Sequence, residues 1–157
     1  MQSEPRHTSV PVRRVPIHGL LAMAAQLATD EFFGRLHAHG FETVRPGHGC
    51  VFGHIEPEGS RLTDLAARAG YTKQTVGEVT SELEELGYVE RVPDPEDKRV
   101  KIIRLTDRGR EAQRVGQGLI ADVEAEWSRR YGKQRVAQLR ELLEEVVGQI
   151  GAEDLAA

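Results

Sequence analysis

The sequence predicts a mainly α-helical chain with one small β-hairpin, and three observations lead there. Apolar residues recur at three- and four-residue steps through much of the 157-residue chain. Two short amphipathic stretches meet at a glycine in "LTDLAARAGYTKQTVGEVTSELEELG". Two β-branched runs, "YVERV" and "VKIIRL", then flank a polar stretch that carries two prolines.

Taken in order, residues 1–14 read as a flexible leader that closes on Arg13 and Arg14. Ile17, Leu20, Leu21, Ala24, Leu27, Ala28 and Phe32 predict a first helix. Pro16 suits its first position, where a missing N–H costs nothing, and Gly40 offers a stop. Residues 41–60 hold apolar Val51, Phe52 and Ile55. Gly47, Gly49 and Gly53 each weaken a helix there by about 1 kcal/mol relative to alanine. A short, packed helix is expected.

Leu62, Leu65, Ala66 and Ala69 form one face of the next helix, and Gly70 can take the left-handed conformation that ends it. Thr72 is a suitable N-cap for a second helix that buries Val76, Val79, Leu83 and Leu86 and stops at Gly87. The small Ala66 and Ala69 let the two cross closely, which makes a helix-turn-helix. Two strands follow as a wing. Their connection is longer than a tight hairpin requires, Pro93 and Pro95 stiffen it, and Lys98 and Arg99 are expected to start the return strand.

Thr106 caps a long helix with the stripe Ala112, Val115, Leu119, Val123 and Trp127, broken at Gly132. In the last helix Val136, Leu139, Leu143, Val146 and Ile150 form a heptad seam, widened by Leu142 and Val147. A seam beyond a complete winged unit suits the pairing of two subunits. The organisation expected is therefore a leader (1–14), N-terminal helices for dimerisation and a ligand cleft (15–56), a winged helix-turn-helix lobe (57–105) and C-terminal dimerisation helices (106–157).

Bulk composition limits the function classes. Apolar residues make up 39% and charged residues 29% of the chain, as in a folded globular protein rather than a disordered one. The formal charge is −4, so any nucleic-acid role needs locally gathered cations. The single cysteine, Cys50, excludes an intramolecular disulfide framework. No signal-peptide pattern and no run of about 18 apolar residues is found, so a soluble, cytoplasmic protein with no membrane partner is expected.

Residues 62–111, and above all "DPEDKRVKIIRLTDRG", resemble the MarR family of winged-helix transcriptional regulators. Asp97 and Arg99 occupy its D-x-R wing positions, and Leu105, Thr106 and Gly109 its L-T-x-x-G helix start. Residues 41–55 depart most, because their glycines thin out a helix that the family has. The resemblance implies a homodimer paired through its terminal helices, with recognition helices in the major groove of double-stranded DNA and wings in adjoining minor grooves. It further implies a repressor on an inverted-repeat operator, released when a small organic effector enters a cleft between the dimer helices and the DNA-binding lobe. Some members respond instead to cysteine oxidation or a metal.

The residues themselves suit that role. The exposed first turns of the second motif helix carry Thr72, Lys73, Gln74, Thr75, Gly77 and Glu78. A major groove about 12 Å wide admits such a helix; Gln74 can pair with adenine, and Lys73 can reach guanine or phosphate. Thr75 can contact a thymine methyl or phosphate, and Gly77 keeps the helix close to the duplex. Glu78 can accept from a cytosine amine or stay solvated. Glu82, Glu84 and Glu85 further along repel DNA. In the wing Lys98, Arg99, Lys101 and Arg104 gather, with Arg91 on the partner strand. A guanidinium is favoured in a narrow minor groove. Asp97 is expected to brace the loop and orient Arg99.

For the effector, Ile17, Leu21, Phe33, His37, His48 and Phe52 are the expected pocket walls. His37, His39, His48 and His54 lack the tight spacing of a zinc site, so neither metal nor cofactor is expected. Cys50 gives an alternative, a redox-responsive repressor, although an inert thiol fits its apolar surroundings better. A winged-helix protein–protein module is the second alternative. No nucleophile–base pair or phosphate-cradling loop supports an enzyme, and no catalytic residue is assigned.

Overall fold

The computed structural model describes residues 14–154, with side-chain burial through residue 148. The leader up to Arg13 and the side chain of Ile150 lie outside the described residues. The chain is mainly α-helical with a small antiparallel sheet, as the sequence predicts.

Helix α1 (Ile17–Ala38) starts one residue after Pro16, which is the extended flanking residue (φ −59°, ψ 154°) rather than the first helical one. It ends at Ala38, and Gly40 turns the chain with φ +91°. Only Leu36 of α1 is buried, and Ile17, at 78% exposure, has Leu20, Leu21 and Leu27 as exposed companions. Among the described residues, the apolar stripe of α1 therefore has no cover over its N-terminal half. Its later turns lie along the long helix α5 (Asp107–Tyr131), where Arg35 donates to Glu126 at 2.6 Å.

The segment after α1 forms a 3-10 turn (Pro46–His48) running into a single-turn helix, α2 (Gly49–Phe52). The expected short helix is real, and its glycines leave it at one turn because each raises the cost of continuing. Val51 and Ile55 drop into the core, while Phe52 packs at its margin.

The structure adds a strand that the sequence reading lacked, β1 (Ser60–Arg61). With β2 (Val89–Pro93) and β3 (Lys101–Leu105) it makes an antiparallel sheet in the order β1-β3-β2, pairing Ser60 with Ile103 and Val89 with Leu105. Gly59 makes this approach feasible. Its φ is +103°, and a Cβ there would sit 2.8 Å from the Ile103 carbonyl oxygen.

Between β1 and β2 come α3 (Leu62–Ala69) and α4 (Lys73–Glu85). Gly70 is left-handed at φ +69°, and the Tyr71 N–H closes back on the Ala66 carbonyl at 3.2 Å. The Thr72 hydroxyl accepts from the Thr75 N–H at 3.1 Å, so it is the N-cap expected. Leu65, Val76 and Leu83 are completely buried, each contributing about 1.5–3 kcal/mol by leaving water. Val79 and Leu86, expected in the core, lie at its margin, and Thr80 takes a fully buried place instead. A threonine is tolerated there because its hydroxyl donates to the Val76 carbonyl of its own helix at 2.6 Å.

Thr106 caps α5 by accepting from the Gly109 N–H at 3.1 Å, and it donates to the Gly87 carbonyl at 2.7 Å. Gly132, with φ +95°, separates α5 from α6 (Lys133–Asp154). The two lie side by side, with Arg140 reaching Glu124 at 2.7 Å. The seam residues Leu139, Leu142, Leu143, Val146 and Val147 are all exposed in the single chain. Among the described residues no helix is long and apolar enough to cross a membrane.

Candidate nucleic-acid interface

The exposed side of α4 faces a shallow groove lined by Leu62, Lys73, Gln74, Gly77, Glu78 and Arg91, among others. Helix α4 is there because its opposite side supplies Val76, Thr80 and Leu83 to the core; the 3.6-residue period then forces Lys73, Gln74 and Glu78 outward. Gln74 donates to Glu78 at 3.1 Å, one turn along. The Thr75 hydroxyl lies 2.8 Å from that of Thr72, so both threonines serve the cap at the helix N-terminus. Gly77 is half-buried, and a Cβ there would rest against Leu62 at an ordinary 3.6 Å. The groove thus has space over Gly77 rather than a tight approach to α3.

In the wing, Arg99 is 91% exposed, and Lys98 and Lys101 are exposed too. Among the described residues Lys73, Lys98 and Lys101 enter no ion pair. Asp97 accepts from the Arg99 N–H at 3.0 Å and from its Nε at 3.1 Å. These contacts hold the Asp97 carboxyl below the usual carboxylate range, the Arg99 guanidinium first and its backbone N–H second. One expectation is corrected: Lys98 and Arg99 do not start the return strand. The Val100 N–H closes a turn onto the Asp97 carbonyl at 2.9 Å, so both cations sit at the tip and β3 begins at Lys101. Arg104 is turned to Glu90 across the hairpin at 2.8 Å, and Arg91 is paired with Glu84 and donates to Ser81 at 3.1 Å. Arg91 therefore belongs to the α4 groove, not to the wing tip.

The sequence reading missed Asp94, the carboxylate that anchors the wing base. It is only 6% exposed. It accepts from the Glu96 N–H at 2.9 Å and from Arg61 of β1 at 2.9 and 2.6 Å. The Glu96 N–H, then the Arg61 guanidinium, hold its carboxyl below the ordinary value. An aspartate before Pro95 was the available signal, but its partner lies on a strand too short to foresee. Two of the three acids that were set against DNA are also engaged: Glu84 by Arg91, and Glu82 by Arg45.

Of the six residues expected to wall an effector pocket, Phe33 and His37 are ring neighbours, with centroids 6.1 Å apart. The structure opens an apolar cleft of about 750 Å³ between α1, α5 and α6, and of the six only Phe33 lines it. Ala28, Phe32, Ile120, Trp127, Val136 and Leu143 supply much of the rest. Ile17 and Leu21 lie on the uncovered end of α1. His37 is drawn to the Val44 carbonyl at 2.9 Å, and His48 and Phe52 are held by α2 and its preceding turn. His39 and His54 are likewise used locally, against the Arg35 and Cys50 carbonyls. Among the described residues no three His, Cys, Asp or Glu side chains are grouped to hold a metal. Burial pushes the Cys50 thiol pKa up, which disfavours the thiolate that oxidation needs.

Comparison with known proteins matches residues 44–100 to the family model described as MarR family. No curated protein matches the sequence. Among solved structures, the reduced form of MarR from E. coli is 21% identical, with a TM-score of 0.66 over 85% of this chain and 98% of that one. CouR from Rhodococcus jostii RHA1, bound to p-coumaroyl-CoA, is 26% identical, with a TM-score of 0.60 over 83% of this chain and 90% of its own. The transcriptional repressor CouR bound to a 23-mer DNA duplex is 23% identical, with a TM-score of 0.67 over 84% and 92% of the two chains.

Proposed function

From the premise that this chain carries a MarR-family winged helix-turn-helix domain, we propose that it is a homodimeric, DNA-binding transcriptional regulator that represses from an inverted-repeat operator. The observation that carries the reading is the groove in which Lys73, Gln74 and Glu78 of α4 face Arg91 of the wing strand, with Lys98, Arg99 and Lys101 exposed beyond it. Lysines without carboxylate partners keep their charge available for phosphate, and an α4 N-terminus carrying Gln74 suits base edges in a major groove. The net charge of −4 does not oppose this, because Lys73, Lys98, Arg99 and Lys101 present exposed positive charge locally, where DNA would meet it.

The dimer would form through α1, α5 and α6. Their apolar residues line the 750 Å³ cleft and continue over the exposed Leu139, Leu142, Leu143 and Val146. A contiguous apolar surface of this kind marks a protein–protein contact. In this reading the cleft seats helices of a second subunit. Release by a small organic effector is part of the proposal, supported by the ligand-bound CouR at 26% identity.

Footprinting on the DNA next to the gene tests the reading, with protected half-sites expected about one helical turn apart. Arg99→Ala should weaken binding and lower the salt slope by about 1, whereas Glu96→Ala should leave both unchanged. Equal affinity of Arg99→Ala and the unaltered protein across an ionic-strength titration would sink the wing assignment.

A further inference from the structure

One buried titratable group has no part in the reading above. His48 is 2% exposed, and its Nδ1 accepts from the Arg45 N–H at 3.2 Å. A neutral ring arranged this way carries its proton on Nε2. That Nε2 has no hydrogen-bond partner, and the carboxylate it faces is Glu82, with Oε2 at 3.4 Å. The other Glu82 oxygen is taken by the Arg45 guanidinium. Both oxygens of one carboxylate on α4 are thus addressed by a single turn, Arg45 to His48. The residues just before that turn are tied to α1 and to Tyr88, which precedes β2. His37 donates to the Val44 carbonyl at 2.9 Å, and the Thr43 hydroxyl meets that of Tyr88 at 2.9 Å.

We propose that the Val44–His48 turn is a strut between α1 and the recognition helix, in which His48 and Arg45 are positioning residues acting through Glu82. The proposal rests on the DNA-binding reading and adds residues that touch no DNA in it. Glu82 lies eight residues beyond Gln74, a lever of about 12 Å along the helix axis. A tilt of about 5° about Glu82 moves Gln74 by about 1 Å, enough to spoil a bidentate hydrogen bond to a base. Burial, and then the Arg45 cation, push the His48 pKa down, so the ring stays neutral, oriented by the Arg45 N–H with Nε2 3.4 Å from Glu82. Glu82 lines the far end of the α4 groove, and in this proposal it is also the handle by which α4 is held.

The test uses the full chain and a duplex that the unaltered protein selects from a random-sequence pool, with a scrambled duplex of equal length as competitor. His48→Leu fills the volume without a donor, and His48→Gln keeps an N–H toward Glu82. His48→Leu should lower the preference for the selected duplex about five- to tenfold, with binding to the scrambled duplex and the salt slope unchanged. His48→Gln should restore most of the preference, and His48→Leu should cost nothing further in a Glu82→Gln background. Should His48→Leu fail to fold, Arg45→Met, at an exposed side chain, should cut the preference in the same way. A lowered unfolding midpoint with an unchanged preference overturns the strut, because a residue that merely fills the core would do that. Should the unaltered protein select no duplex, the DNA reading itself fails, and amide hydrogen exchange in α4 then decides the strut. Faster exchange in His48→Leu, reversed in His48→Gln, supports it; equal exchange overturns it.

Discussion

Replacing Gly109 with alanine puts a better helix former into α5, a change that stabilises an exposed helix by about 1 kcal/mol. The structure reverses the sign. A Cβ on Gly109 falls 2.0 Å from the Tyr88 carbonyl oxygen and 3.0 Å from its carbon. Carbon–oxygen contacts settle near about 3.3 Å, so the overlap is over about 1 Å and involves backbone on both sides. Neither side can easily yield. The Tyr88 carbonyl receives the Thr106 N–H at 3.0 Å, and the Gly109 N–H is held by the Thr106 hydroxyl at 3.1 Å. Lifting the first turn of α5 gives up that cap, about 1 kcal/mol, and forces backbone shifts costing about 1–3 kcal/mol. Loss of the Thr106 contacts to Gly87 and Tyr88 adds about 1 kcal/mol more. After the gain in propensity, the net loss is about 2–4 kcal/mol. At about 2–4 °C per kcal/mol for a chain of this size, the Tm should fall by about 5–15 °C. Circular dichroism during thermal or urea unfolding reads this directly. Gly118→Ala in the same helix is the control, since that site is exposed and nothing lies within 4 Å of its added Cβ. It should raise the Tm by a few degrees. Gly109→Ala as stable as the unaltered protein would refute the close approach of α5 to the start of the wing.

Other expectations are as direct. Asp94→Asn should destabilise the wing at neutral pH. Because the folded Asp94 pKa lies below its unfolded value of about 3.9, its contribution is present above that pH and is lost as pH falls through the folded pKa. The difference in Tm between the two proteins should therefore close on acidification, and a constant gap from pH 7 to pH 2 would argue against the Arg61–Asp94 anchor. Thr72→Ala removes the α4 N-cap and should cost about 1 kcal/mol, a Tm decrease of about 2–4 °C; no change would argue against the cap. Leu143→Glu places a charge on the proposed subunit contact at an exposed site of the single chain. It should raise the dimer dissociation constant about 100-fold, from a burial cost of about 3 kcal/mol, and sedimentation velocity will detect the monomer. An unaltered sedimentation coefficient would remove α6 from the dimer contact.

Local chemistry explains what could be read before any coordinates. Gly70, Thr72, Gly87, Thr106 and Gly132 act within a few residues of themselves, so each cap and stop falls where the sequence places it. The Asp97–Arg99 pair is also local, closed by a two-residue separation. Long-range partners were not legible. β1 is two residues long, too short for alternation to register, and it exists only because β3 offers an open edge. Asp94 meets Arg61 across that same junction, and Glu82 meets Arg45 and His48 from a segment whose glycines conceal its shape. The lining of the apolar cleft was not legible for a related reason. Helical spacing gives the face of a helix but not its neighbour, and α1 packs on α5 while Ile17, Leu20, Leu21 and Leu27 stay exposed.

By itself the sequence determined a helix-turn-helix with a charged hairpin, because periodicity, capping residues and turn chemistry are properties of neighbouring residues. It also determined which α4 side chains point outward, since burying Val76 and Leu83 leaves Lys73, Gln74 and Glu78 on the other face. Only the tertiary structure decided what those faces meet. It turned Arg91 to Glu84 and Arg104 to Glu90, left the wing-tip cations exposed, and tied Glu82 to the turn after α1. The physical reason is that ion pairing and burial depend on which remote backbone segments come within about 4 Å, and local propensity carries no information about that distance.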